Sequence, residues 1–199
     1  MRCSAVAESI LDQMPGEARA ASPGTKPEAG AGPVSVYIGI GSNIESEPHI
    51  KAVVAGIAEL GQVTGISGFY GNPPIGGSPQ PDYTNGAVRL STTMSVRDLR
   101  KALRALEASR GRRRTEDKHA ARTIDLDILL YGEIVDEELH IPDPQIVSRP
   151  FVVIPILDID PDLILPPTGR SLAEVTKSVE HNLNEKRELT LHLRSEHIQ

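Results

Sequence analysis

The chain has 199 residues, a formal net charge of −6, 39% apolar residues and 24% charged ones. These values describe one globular domain large enough to bury a core, and they argue against a polyanion-binding protein that works through overall charge. A lone Cys3 excludes an internal disulfide and any multi-cysteine metal centre, which fits a reducing compartment such as the cytoplasm. No apolar run reaches the roughly 18 residues of a membrane span, and the first 33 residues lack the unbroken apolar region of a secretory signal.

Residues 1–33 are rich in Ala, Gly and Pro after a short amphipathic start. They cannot bury enough surface to offset ordering entropy, so a disordered extension is expected there. Val34–Ile40 alternates as a first strand, and Gly39-Ile-Gly41-Ser-Asn43 then reads as a strand-to-helix turn. Ser46 is positioned to cap a helix with Pro48 in its first turn, and Ile50, Val53, Val54, Ile57 and Leu60 follow at helical intervals up to Gly61. A second strand is expected over Val63–Tyr70, weakened by Gly65 and Gly68; the Pro- and Gly-rich segment from Gly71 to Pro81 must be a loop.

Tyr83–Ser91 reads as a third strand, with Tyr83, Asn85, Ala87 and Arg89 on one face and Val88 and Leu90 on the other. Ser95 and Asp98 form a capping box before Val96, Leu99, Leu103 and Leu106 at helical spacing, and Gly111 ends that helix. Arg110, Arg112, Arg113, Arg114, Lys118 and Arg122 then fall within thirteen residues. The next strand is Arg122-Thr-Ile-Asp-Leu-Asp-Ile-Leu-Leu-Tyr131, closed by Gly132. A short hairpin partner is expected near Glu133–Val135. Arg149–Leu157 is ambiguous between helix and strand, Ser171–Val179 reads as a last helix, and the polar tail after Asn182 as loose.

The order strand–helix–strand, strand–helix–strand is that of an α+β, ferredoxin-like βαββαβ fold. Its sheet is antiparallel, with both helices on one face and an open active-site face opposite. The domain is expected over 34–182, with 183–199 as the polar C-terminal tail. Asp125 and Asp127 project from one side of their strand, roughly 7 Å apart at about 3.3 Å rise per residue, where they repel unless a cation lies between them. Mg²⁺, held by one or two carboxylates plus substrate phosphates, fits that need, and the arginine run suits the phosphates. A solvated edge strand beside a charged loop would show the same residues. A single-stranded nucleic-acid binder on an open sheet is a third reading, opposed by the acidic charge, the few aromatics (no Trp, two Phe, four Tyr) and the acids on the would-be binding face.

Five stretches, in order, resemble the 6-hydroxymethyl-7,8-dihydropterin pyrophosphokinase family of folate biosynthesis. They are Tyr37-Ile-Gly-Ile-Gly-Ser-Asn43, Phe69-Tyr-Gly-Asn-Pro-Pro-Ile-Gly76, Gln80-Pro-Asp-Tyr-Thr-Asn85, Arg122 to Gly132, and Ser148-Arg-Pro-Phe-Val-Val-Ile-Pro155. The resemblance implies transfer of pyrophosphate from ATP to the pterin hydroxymethyl group with release of AMP. It implies that Asp125 and Asp127 hold two Mg²⁺ ions, and that Asp127, Arg112 and Arg122 are catalytic. ATP would be bound by Glu107, Arg112, Arg114, Lys118, Arg122, Ile128, Asp143 and Arg149. The pterin would stack between Tyr83 and Phe151, with Asn72, Pro74, Ile75 and Asn85 at its edge. Partners would be ATP, the pterin and neighbouring folate-pathway enzymes, with no nucleic acid and no membrane.

The chain departs from the family at three places. His119-Ala-Ala121 replaces a Trp-Gly-Pro, and Asn72 stands where Thr is common. Asp143 replaces a His, which brings an acceptor-only anion beside a triphosphate and is expected to weaken ATP binding, or to turn the chain into a pterin- or nucleotide-binding sensor or partner subunit.

Overall fold

The computed structural model describes residues 32–74, 79–112, 120–166, 168–177 and 184–185. Five strands carry the fold: β1 (Val34–Ser42), β2 (Gln62–Ile66), β3 (Tyr70–Asn72), β4 (Tyr83–Thr92) and β5 (Asp125–Tyr131). Helix α1 (Ser46–Ala58) follows β1, and α2 (Val96–Ser109) follows β4. The sheet runs β5-β1-β4-β3, all antiparallel, with β2 also on β4. This is the expected ferredoxin-like order.

Alternation decides which side each residue serves. Val36, Ile38 and Ile40 of β1, Val88 and Leu90 of β4, and Leu126 and Ile128 of β5 meet Ile50, Val53, Val54 and Ile57 of α1 and Leu99 and Leu103 of α2 in the main core. Ser95 caps α2 as its sequence predicts: its hydroxyl accepts from the Asp98 N–H at 3.2 Å. α1 starts differently. Glu45, in a left-handed conformation, precedes it without a side-chain cap, and Ser46 instead donates to the Ser42 carbonyl at 3.0 Å. The Gly39–Gly41 segment is part of β1, so the turn comes only after Ser42.

The expected second strand is two strands. Between β2 and β3 the Ser67 hydroxyl accepts from the Ala87 N–H at 2.8 Å, and the Gly68 N–H turns to the Asp158 carboxylate at 2.8 Å. The Ser67 N–H still donates to the Ala87 carbonyl at 3.0 Å, so backbone pairing to β4 lapses only after it and resumes at Tyr70. No strand forms over 133–135. A turn from Tyr131 leads instead to an isolated bridge between Asp136 and Ile141.

The ambiguous apolar run is helix α3 (Pro150–Ile159), with Pro150 in its first turn. It lies over the second face of the sheet, where Val152 and Ile156 pack on Tyr37, Ala87, Leu129 and Leu130. Its far end comes so close to β2 that a Cβ on Gly65 would sit 2.7 Å from Ile159. Part of the second face is thus covered, and the open part is the end bearing Asp125, Gly41 and Asn85. A two-stranded β6 (Ile164–Leu165) and β7 (Arg170–Ser171) leads to α4 (Leu172–Val175), shorter than the helix expected to Val179. In the tail expected to be loose, β8 (Asn184–Glu185) pairs with Tyr70 and Gly71. The extension expected over residues 1–33 lies almost wholly outside the described residues.

Candidate active site

One cross-strand row sets the floor of the site. Asp125 of β5 lies opposite Gly41 of β1, and Gly41 lies opposite Asn85 of β4. Gly41 must lack a side chain here, because a Cβ would stand 2.8 Å from the Asn85 amide oxygen. The neighbouring row joins Asp127 to Gly39. Both acids therefore rise from an edge strand beside a strip of bare backbone, on the face away from α1 and α2.

Asp125 is doubly held. Arg112 donates to one of its carboxylate oxygens and Arg122 to the other. Arg112 also donates to the Ile124 carbonyl at 2.7 Å and pairs with Glu107 at 3.3 Å. Glu107, 3% exposed, accepts from the Leu126 N–H at 2.9 Å. An edge strand presents such outward N–H groups to solvent unless something covers them. Glu107 thus fastens the end of α2 to β5 and braces Arg112. Burial alone would lower the Arg122 guanidinium, but the Asp125 carboxylate and the Tyr83 hydroxyl hold it above its ordinary value.

Asp127 has no ion-pair partner among the described residues. Its side chain is exposed at the sheet edge, yet its carboxyl sits beside a cavity and close to other acidic groups. Partial desolvation, with repulsion from Asp125, Asp143 and Glu107, pushes it up to about 7 against the opposing pull of Arg112. The sign for stability follows. Below the ordinary value near 3.8 the folded and unfolded states are both protonated at this group, so it contributes nothing; as pH rises towards 7 the unfolded chain releases its proton first, and the metal-free fold loses stability until both states are ionised. Because the side chain is exposed and solvent screens it, Asp127→Asn is expected to raise the melting temperature of metal-free protein only slightly at pH 8, by about a degree, and to leave it unchanged at pH 4. Thermal melts at the two pH values check this.

The cavity beside Asp127 measures about 220 Å³ and is walled by Leu103, Leu126 and Ile128, with Arg100, Arg104 and Asp143 at its polar side. Asp143 caps a 3₁₀ turn (Pro144–Val147), accepting from the Gln145 N–H at 2.8 Å, and burial raises its carboxyl above the ordinary value. The same residue's N–H donates to the Leu129 carbonyl at 2.9 Å, which closes a second stretch of the β5 edge.

On the other side of the row, Asn85 donates to the Asn72 side-chain oxygen, and Asn72 donates to the Pro73 carbonyl at 3.0 Å. Tyr83 is half-buried; its hydroxyl donates to the Ala120 carbonyl at 3.5 Å, and the Arg122 guanidinium lies 6.0 Å from its ring centre. Pro74 is half-buried beside Asn72. Phe151, also half-buried, leans on the second core cluster from the first turn of α3, and Arg149 is exposed just before it. Ile75, Arg114, Lys118 and His119 lie outside the described residues.

One organising residue has no local sequence signal for its role. Asn43 is buried and joins three segments: its side chain accepts from the Arg122 N–H at 2.7 Å and donates to Gln80 at 2.9 Å and to the Pro81 carbonyl at 3.2 Å. Those partners are 37 to 79 residues away, so no periodicity could reveal them.

The model of the family "7,8-dihydro-6-hydroxymethylpterin-pyrophosphokinase (HPPK)" matches residues 37–161. A Synechocystis protein named 2-amino-4-hydroxy-6-hydroxymethyldihydropteridine pyrophosphokinase is 38% identical over 150 residues, covering 72% of this chain and 75% of its own length. A Haemophilus influenzae protein of the same name is 35% identical over 149 residues, covering 72% of this chain and 92% of itself. In three dimensions the chain resembles the crystal structure of wild-type Plasmodium falciparum HPPK-DHPS with pteroate, with a TM-score of 0.58 at 9% identity over 77% of this chain, and spans 48% of that longer chain. The extent of the family match and the identity to its named members lead to one assignment: the chain belongs to the 7,8-dihydro-6-hydroxymethylpterin-pyrophosphokinase family.

Proposed function

We propose that the open end of the sheet is where this chain performs its family's reaction, with the roles given to its residues below. As a pyrophosphokinase it transfers the pyrophosphoryl group of ATP to hydroxymethyldihydropterin in folate biosynthesis. The observation that carries the site assignment is the state of the two acids: Asp125 saturated by two guanidinium groups, Asp127 two residues on with none among the described residues. Asp127 is a carboxylate in want of a cation, and Asp125 is a carboxylate whose cations can leave.

A hard divalent ion suits that pair, because both donors are carboxylate oxygens on one face and a substrate's phosphates can supply the rest. Among the described residues no three acidic, His or Cys side chains gather into an all-protein cage, which is the pattern of a metal that arrives with phosphate. Asp125 and Asp127 would hold two Mg²⁺ ions, which when bound supply positive charge on both sides of the reacting phosphorus. Arg112 and Arg122 would then turn from Asp125 to the phosphate oxygens, with Arg114 and Lys118 completing the grip. The adenosine would occupy the cavity of Ile128 and Asp143, with Arg149 at its rim and Glu107 bracing Arg112 from below. Asp127 would accept the hydroxymethyl proton as the bond to phosphorus forms.

The pterin would lie between Tyr83 and Phe151. Both rings belong to the second face, and a flat heteroaromatic ring gains from stacking against each. Asn85, Asn72, Pro74 and Ile75 would meet its edge, the two amides already aligned by their mutual hydrogen bond. No described helix is long and apolar enough to cross a membrane, and ATP as substrate fits a cytoplasmic site. The likeness to chains named HPPK-DHPS supports a folate-pathway enzyme as partner, which co-purification would test.

The deciding experiment is AMP formation with and without the pterin. Pterin-dependent AMP supports the enzyme; saturable pterin binding with no AMP would make the chain a binding relative instead. Asp143 gives a separate test. Asp143→Asn keeps the cap on Gln145 but removes the charge, and is expected to lower the ATP KM several-fold. An unchanged KM would put Asp143 outside the nucleotide's reach.

A further inference from the structure

The exposed side of α2 carries Arg97, Arg100, Lys101 and Arg104. Their spacing of three, one and three residues puts all four on one stripe, flanking the buried face of Val96, Leu99 and Leu103. Like charges three and four apart on a helix repel, and this stripe contains four such pairs. Among the described residues none of Arg97, Lys101 and Arg104 has an ion-pair partner. Asp98, one turn before Lys101, has its carboxylate engaged by the Ser95 hydroxyl at 2.6 Å. Arg100 is pinned towards the stripe by donating to the Leu139 carbonyl at 2.5 Å.

The four cations and Leu139 enclose a second cavity of about 290 Å³. It adjoins the one beside Asp127, since Arg100, Arg104 and Leu139 line both. A ligand in the first cavity, against Leu103 and Ile128, would therefore lie next to a cluster of positive charge. We propose that this basic stripe is a second anion subsite, which takes a phosphate carried on the ribose of a nucleotide seated in the first cavity. A phosphate there would relieve the repulsion along the helix and accept charge-assisted hydrogen bonds from Arg97 and Arg104, which have no ion-pair partner among the described residues. The inference rests on the first cavity being the nucleoside site, and gives the protein a means to sense nucleotides phosphorylated at the 2′ or 3′ position.

The test is direct binding of AMP, ADP, and adenosine 2′,5′- and 3′,5′-bisphosphate, by calorimetry at fixed salt, to wild-type protein and to the Arg97→Ala/Lys101→Ala variant. Both replaced side chains are exposed and belong to the second cavity alone, so the variant is expected to fold and to bind AMP as before. At least one bisphosphate is expected to bind wild type about tenfold or more tighter than AMP, and tighter than ADP, which has the same number of phosphorus atoms, with that gain lost in the variant. No gain in wild type, or a gain that survives in the variant, overturns the subsite. Failure of AMP and ADP to bind at all would instead overturn the nucleoside assignment on which it rests.

Discussion

Asp127→Ala is expected to reduce pterin-dependent AMP release by roughly a thousandfold or more, the scale on which removing a pre-placed electrostatic group acts on a charged transition state, while the fold survives. Asp127 stands on the second face of β5, its backbone held by pairing to Gly39, and its side chain supports no core contact. Its removal takes away a charge that partial desolvation and three neighbouring carboxyl groups disfavour. The variant should therefore lose activity and gain thermal stability at neutral pH, a combination that a merely structural residue does not give. Parallel measurement of AMP release and melting temperature checks both halves. Turnover at the wild-type level would remove Asp127 from the mechanism and leave the acid pair as an ordinary solvated strand face.

Glu107→Ala is expected to have the largest effect on stability, about 3 kcal/mol, the order seen when one partner of a buried ion pair is removed. Three losses coincide. The Leu126 N–H loses its acceptor on an edge strand, Arg112 loses one of its two carboxylates, and a buried side chain leaves a void at the end of α2. Glu107→Gln keeps an oxygen for Leu126 and most of the volume, so it should cost about 1 kcal/mol, typical of one modest hydrogen-bonding change. Urea unfolding of the two variants gives the comparison directly. If Glu107 chiefly meets the nucleotide, the Gln variant will instead raise the ATP KM without moving the unfolding midpoint.

Much of this protein is legible in local pattern. The period-two alternation of Val34–Ile40, Tyr83–Ser91 and Ile124–Ile128 assigns each side chain to a face, and with it the two acids to the side away from the helices. Ser95 with Asp98 places the start of α2, and the helical spacing of apolar residues places both α1 and α2 within a few residues. Such features are written in residues a few positions apart, because backbone sterics and side-chain direction act at that range. The arginine run and the acid pair announce phosphate chemistry for the same reason: the charges are neighbours in the chain.

Other features belong to the tertiary structure. Pro150–Leu157 is apolar throughout, so no period distinguishes helix from strand, and only its packing on Tyr37, Ala87 and Leu130 decides. The lapse between β2 and β3 depends on Asp158, some ninety residues on, drawing away the Gly68 N–H. Glu107 takes its bracing role only because α2 brings it against Leu126, and Gly41 is required only because Asn85 and Asp125 flank it. Asn43 can bind Arg122 and Gln80 together only once the sheet has formed. Each of these joins residues distant in the chain, and contacts of that kind are settled by which surfaces the whole fold brings into register rather than by the preference of any single segment.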